Sequence, residues 1–307
     1  MMTDIEQLAE MAQQLGCKVF RNEPLNEHTT FKIGGPCTLM IVPNNEISLS
    51  ALVRFSSEKG LRTLVMGKGS NMLYADEGFK GVVFLFDNTM DMGRIEQIDD
   101  RTIRAYAGAS LMSVCRKALE LSLSGLEFAY GIPGTVGGGV YMNAGAYNGE
   151  VKDVVSSVTA MDRRGKLRTY NDSRLGFTYR GSRFNHTDEM IISADFTLTP
   201  GDKTEIEAKM KDLIGRRKDK QPLEFPNAGS TFKRPEGQFA GKLIQDCGLR
   251  GCTIGGAQVS EKHCGFVINT GGATCSDVRG LIDHIQHTVQ DNTGFELECE
   301  VRIIPYE

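Results

Sequence analysis

The stretch GIPGTVGGGVYMNAGAYNGE, residues 131–150, carries seven glycines in twenty positions and no lysine or arginine. Each glycine costs backbone entropy when it is ordered, so a fold keeps such a run only where something must lie against bare main chain. A second glycine loop, GKGSN, spans 67–71. Runs of backbone N–H groups in glycine turns form concavities that hold anions, with phosphate the usual guest. The common nucleotide signatures are absent. Gly67, Lys68, Gly69 and Ser70 lack the spacing of a P-loop, and GxGxxG fails at Met72 in one loop and at Met142 in the other. A lone glycine pair is usually just a turn. This density, with Asn143 inside it, points to a ligand with phosphates and a large flat ring, held by amides instead of cations.

The remaining sequence limits what kind of protein holds that ligand. A chain of 307 residues is expected to form two domains. Its net charge of −4 provides no basic field for nucleic acid or for an anionic membrane. The longest apolar runs, such as GVVFLF at 81–86, have strand length and are too short to span a bilayer. The segment MMTDIEQLAEMAQQLG is acidic and helical, with Ile5, Leu8, Ala12 and Leu15 on one face. It lacks the basic and apolar parts of a signal peptide, so a cytoplasmic protein is expected. Eight cysteines contain no CxxC, and Cys247, Cys252 and Cys264 with His263 are too irregularly spaced for a zinc site. Reduced thiols and no metal are the expectation.

Periodicity predicts helices over 47–60, 111–122, 203–220 and 277–294, and strands over 81–87, 95–99, 102–109, 154–170 (a pair), 190–201 and 295–304. An amphipathic helix with a basic end, stopped by Pro222, precedes a stretch rich in glycine, proline and asparagine. The domain boundary is therefore placed within 200–222.

Several motifs occur in a fixed order: GKGSN, the 131–150 segment, FTYRGSRF, RRKDKQP, NAGSTFKRP, FAGKLI with GLRG, KHCGFVIN and CEVRII. Together they resemble the UDP-N-acetylenolpyruvoylglucosamine reductase family over most of the chain. The resemblance implies an α+β fold. It has an FAD-binding portion of the vanillyl-alcohol-oxidase (PCMH) type over 1–200, in two lobes of about 1–60 and 61–200. A smaller α/β substrate-binding domain covers 201–307, linker helix 202–220 included. It implies an NADPH-dependent flavoenzyme that reduces the enolpyruvyl group of UDP-N-acetylglucosamine enolpyruvate to give UDP-N-acetylmuramate, for peptidoglycan synthesis. Only the short segment 181–189 separates Arg180 from the next strand, which leaves no room for the long tyrosine-bearing lid of one branch. The chain is similar to the shorter branch.

By the same resemblance Arg180 is the catalytic arginine, Ser230 the proton donor and Glu300 the third catalytic residue. FAD would lie on Gly67, Lys68, Gly69, Ser70 and Asn71, on Gly131, Pro133, Gly134, Gly137, Gly138, Asn143, Ala144 and Gly145, and near Arg217. Lys220, Lys233, Arg234, Gln258 and Lys262 would bind the nucleotide-sugar, with His263 beside them. Neither glycine loop contains a histidine or cysteine, so the FAD is expected to be non-covalent. A monomer is expected. Taken singly, these residues have blander roles: Arg180 in a surface ion pair, Ser230 in a turn, Glu300 beside Arg302, and the basic run at 216–220 complementing a helix end. The residues themselves also leave open an oxidase of the same fold, or a protein that binds a flavin or nucleotide without catalysis.

Overall fold

Helix α1 (Asp4–Gln14) starts where the Thr3 hydroxyl accepts the Glu6 amide at 3.3 Å, and it buries Leu8, Ala9 and Ala12. Ile5 and Leu15 pack against the same core, so the face marked by periodicity is the buried one. The protein is described here from a computed structural model covering residues 2–88 and 91–307. Six further helices follow: α2 (Glu46–Glu58), α3 (Leu111–Glu120), α4 (Val136–Tyr141), α5 (Lys203–Lys220), α6 (Ala240–Asp246) and α7 (Cys275–Thr293).

The chain divides into two compact units. Unit 1 comprises Met1–Arg21, Leu39–Lys68 and Gly81–Arg216; unit 2 comprises Asn22–Thr38, Gly69–Lys80 and Arg217–Glu307. A single cut near residue 200, with α5 on the carboxyl-terminal side, does not reproduce this division. Two physical reasons account for the difference. Helix α5 buries Ile206 and Met210 in the core of unit 1. In unit 2, strand Arg302–Ile304 pairs in parallel with Met72–Tyr74, a contact across more than two hundred residues that no local periodicity reveals.

Unit 1 holds a five-stranded antiparallel sheet ordered Leu167–Asn171, Val155–Met161, Met190–Thr197, Thr102–Tyr106, Ile95–Gln97. It also holds the parallel pairing of Thr63–Met66 with Val82–Leu85, with Thr63 opposite Val82. Helix α4 lies inside the glycine-rich segment that the sequence reads as a loop. The Thr135 hydroxyl caps it by accepting the Gly138 amide at 3.4 Å. Glycine's entropic cost is offset by close packing that larger residues would prevent.

Unit 2 holds a three-stranded antiparallel sheet, Thr253–Ile254, Ala257–Val259 and Val267–Asn269, with α6 and α7. Its core includes Phe31, Leu73, Ile244, Val278, Leu281 and Ile285. The predicted closing strand 295–304 is regular only over Arg302–Ile304. Its alternation still holds: Leu297 and Val301 are buried, whereas Glu296 and Glu298 are exposed. All eight cysteines are free, and burial pushes the Cys37 thiol up to about 12 and the Cys275 thiol to about 11. Among the described residues no helix is long and apolar enough to cross a membrane, and no His, Cys, Asp and Glu side chains group to hold a metal ion.

Helix α7 is anchored at its start by Asp76, whose carboxylate accepts the Cys275 amide at 2.6 Å and the Ser276 amide at 3.0 Å. A negative charge there also complements the helix dipole. Replacing Asp76 with alanine should lower unfolding free energy by about 1 kcal/mol, read from denaturant titration.

Candidate active site

In unit 1 the glycine-rich segment is built mainly for its own packing. A Cβ on Gly67 would overlap the Thr135 hydroxyl; one on Gly137 would sit 2.9 Å from the Ala107 Cβ; one on Gly139, 3.2 Å from Leu111. A Cβ on Gly145 would lie 2.8 Å from the Gly149 carbonyl and from Glu150, and one on Gly149 2.7 Å from the Phe128 ring. Most amides are used internally: Val136 donates to Ala109, Gly137 to Ala107 and Ala144 to Gly139. Gly138 is different. It is exposed, and a Cβ added there would meet only the Thr135 hydroxyl, at an ordinary contact distance of 3.7 Å. Pro133 is also exposed, while Gly131, Gly134 and Ala144 are half-buried. The glycines thus make a wall of close main chain with one bare face.

Arg180 belongs to this unit, half-buried, in a tight turn closed by Thr178 and Gly181. One guanidinium nitrogen donates to the Gly145 carbonyl at 3.4 Å, and the group stacks over Tyr179 at 5.0 Å. Segment 181–189 contains only the 3-10 turn Arg183–His186 before strand Met190–Thr197.

Unit 2 carries Ser230 and Glu300, and the main chain brings their segments side by side. The Glu300 amide donates to the Thr231 carbonyl and the Lys233 amide to the Glu298 carbonyl, both at 2.8 Å. Two neighbouring hydroxyls have opposite fates. Thr231 is buried, its hydroxyl accepting the Val267 amide at 2.9 Å, whereas Ser230 is exposed after the left-handed Gly229. Asn71 joins the group: its side chain donates to the Glu300 carbonyl at 3.0 Å, and its own carbonyl accepts the Arg302 amide at 3.0 Å. The sequence places Asn71 in a phosphate loop and misses this bond, because nothing local signals a partner more than two hundred residues away. Thr231 is missed for the same reason.

The loop carrying Asn71 turns at Gly69, φ +57°, where a Cβ would meet the His28 carbonyl at 2.6 Å. The amides of Gly69, Ser70 and Asn71 donate to no protein acceptor among the described residues. Three successive amides without a protein acceptor are the kind of main chain that can hold an anion.

Other predicted binding residues already have protein partners. The Lys262 ammonium takes the Lys218 carbonyl at the end of α5 at 2.8 Å and Glu224 at 3.5 Å. Lys233 pairs with Glu298, and Arg234 stacks on Phe239 at 3.9 Å. Gln258 bonds within its hairpin, to Thr253 at 3.2 Å. Lys220 is exposed and Arg217 half-buried. Burial, with the charges of Arg250 and Lys220, pushes the His263 imidazole below its usual range. Its Nδ1 accepts the Gly265 amide at 3.1 Å, which leaves Nε2 as the protonated nitrogen.

Residues 221–304 match the model for the carboxyl-terminal domain of UDP-N-acetylenolpyruvoylglucosamine reductase, and residues 37–171 match that for an FAD binding domain. Proteins named UDP-N-acetylenolpyruvoylglucosamine reductase match along almost the whole length. The one from Lachnoclostridium phytofermentans is 46% identical, covering 94% of this chain and 93% of the relative. That from Agathobacter rectalis is 45% identical over 98% of each. The chain belongs to the UDP-N-acetylenolpyruvoylglucosamine reductase family. The crystal structure of the reductase from Thermus caldophilus matches with a TM-score of 0.79 at 31% identity, covering 94% of this chain and 99% of that one. The expected α+β class, with an FAD-binding portion and a family carboxyl-terminal domain, accords with these matches.

The residues of this reductase family member fit FAD: a turn with three unsatisfied amides suits a pyrophosphate, and bare main chain at Gly138 suits close approach. Gly138 and Gly137 should therefore respond oppositely to substitution. In the protein freed of flavin, G138A should raise unfolding free energy by roughly 0.5–1 kcal/mol, as alanine does in a helix. G137A should lower it by about 1–3 kcal/mol through overpacking. Thermal melts of the two apoproteins check the order.

Proposed function

We propose that the chain catalyses the reaction its relatives are named for: reduction of the enolpyruvyl ether of UDP-N-acetylglucosamine enolpyruvate, with NADPH as reductant, giving UDP-N-acetylmuramate for peptidoglycan. The observation that carries this reading is full-length similarity to named reductases, joined to the exposed Ser230 beside Glu300 in unit 2. Bound FAD supplies the hydride relay between NADPH and substrate. It is held without a covalent link, on the loop at 67–71 and on the segment Gly131–Gly145, with Arg217 nearby. The FAD-binding role is assigned to residues 1–200 and substrate binding to 201–307, a functional division that the compact units do not follow; the family matches at 37–171 and 221–304 lie within these bounds and support it.

Hydride addition at C3 of an α,β-unsaturated carboxylate leaves negative charge over C2 and the carboxylate. The Arg180 guanidinium, charged at every accessible pH, grips that carboxylate at two points. Ser230 gives its hydroxyl proton to C2. A hydroxyl is a weak acid at neutral pH, so this works only because the acceptor is carbanion-like and the geometry is fixed. The hydroxyl's exposure, and the anchoring of its neighbour Thr231, support the role. Glu300, protonated beside the substrate carboxylate, donates to the developing enolate. Lys220, Lys233, Arg234, Gln258 and Lys262 bind the nucleotide-sugar; Lys233 and Lys262 exchange Glu298 and the Lys218 carbonyl for phosphate as they do so. The protein acts as a cytoplasmic monomer.

S230A separates the two halves of the reaction. Turnover should fall on the order of 10²–10⁴-fold, as for loss of a general acid. Anaerobic bleaching of the flavin by NADPH should persist. Equal loss in both halves would overturn the role given to Ser230.

A further inference from the structure

The Arg180 backbone is left-handed, φ +57°, a conformation that residues other than glycine, asparagine and aspartate rarely adopt. Such strain survives only where the surroundings over-determine it, and it gathers at functional positions. Here the surroundings are three hydrogen bonds from alternate residues of the glycine-rich segment. The Tyr141 carbonyl accepts the Ser182 hydroxyl at 2.9 Å, the Asn143 side-chain amide donates to the Thr178 carbonyl at 2.9 Å, and the Gly145 carbonyl accepts the Arg180 guanidinium at 3.4 Å. Thr178 and Gly181 close the turn on each other, amide to carbonyl in both directions, at 2.9 and 3.2 Å.

Asn143 is the middle rung, fully buried, and both polar atoms of its side chain have protein partners. Its Nδ2 donates to Glu150 Oε2 at 3.1 Å as well as to Thr178, and its Oδ1 accepts the Lys152 amide at 2.9 Å. Glu150 holds the Lys152 ammonium at 2.6 Å and feels the positive charge of Arg180. Asn143 is itself left-handed, φ +41°, which asparagine tolerates. With both amide hydrogens committed, the side chain has no donor left for a ligand.

We propose that Asn143 is a positioning residue for Arg180: its buried amide ties the glycine-rich segment to the carbonyl that opens the Thr178–Gly181 turn, and so fixes where the guanidinium stands. This rests on the assignment of Arg180 to the substrate carboxylate. Two substitutions dissect it. N143G keeps a left-handed backbone and removes every side-chain bond. N143D keeps the acceptor for the Lys152 amide and removes both donors, and it remains informative if N143G folds poorly.

The measurements are kcat and KM for the enolpyruvyl nucleotide, flavin bound per chain and the melting temperature. Both variants should lose kcat on the order of 10²-fold, the effect of a displaced catalytic group, with KM moved less and flavin content kept. N143G added to R180A should cost no further kcat, because the two act as one unit. R180G should melt above R180A, since only glycine relieves the left-handed backbone. Wild-type kcat in N143D would overturn the proposal. So would flavin loss in N143D with unchanged kcat per flavin, a further fall on adding N143G to R180A, or equal melting of R180G and R180A. Wild-type turnover in R180A would instead remove the assignment of Arg180 itself, and the proposal with it.

Discussion

Thr231 is the fixed point on which the candidate site of unit 2 depends. It is 2% exposed and bonded through three atoms: its amide donates to the Gly265 carbonyl, its hydroxyl accepts the Val267 amide, and its carbonyl accepts the Glu300 amide. A buried polar group left unmatched costs about 1–3 kcal/mol, so each bond resists being broken. The segment holding Ser230 and the segment holding Glu300 are thereby set against one another by main chain, before either side chain acts. Asn71 reinforces the arrangement from a third segment. Preorganisation of this kind is what the acid role proposed for Ser230 requires.

The two glycine loops divide the work that the sequence ascribes to both. Around Gly69 three successive amides have no protein acceptor among the described residues, a pattern compatible with an anion. Between 131 and 150 the amides are largely consumed internally, and glycine is needed because main chain packs on Ala107, Leu111, Phe128 and Thr135. The segment exposes Pro133, the bare edge at Gly138 and the turn at Tyr147 and Asn148, while its buried side carries the rungs that hold the Arg180 turn.

Much of this was legible in the residues. Helix α5 matches its predicted span, and the face of α1 follows from its periodicity. The motifs from GKGSN to CEVRII were enough to indicate the family. Helix α4 is not legible, since glycine density argues against a helix and the Ala107–Leu111 segment it packs on is remote in sequence. Nor is the pairing of Arg302–Ile304 with Met72–Tyr74, which depends on sequence-remote partners. The sequence places Asn143 among the cofactor-binding positions, and its buried side chain, bonded to Glu150, Thr178 and Lys152, shows how a motif can mark a position without revealing what its atoms hold.

The most direct test is made on the intact flavoprotein without oxygen. NADPH is added until the flavin is bleached, excess nicotinamide is removed, and UDP-N-acetylglucosamine enolpyruvate is mixed in while visible absorbance is followed. The account predicts return of the oxidised flavin spectrum with one UDP-N-acetylmuramate formed per flavin. A flavin that stays bleached until oxygen is admitted would contradict it.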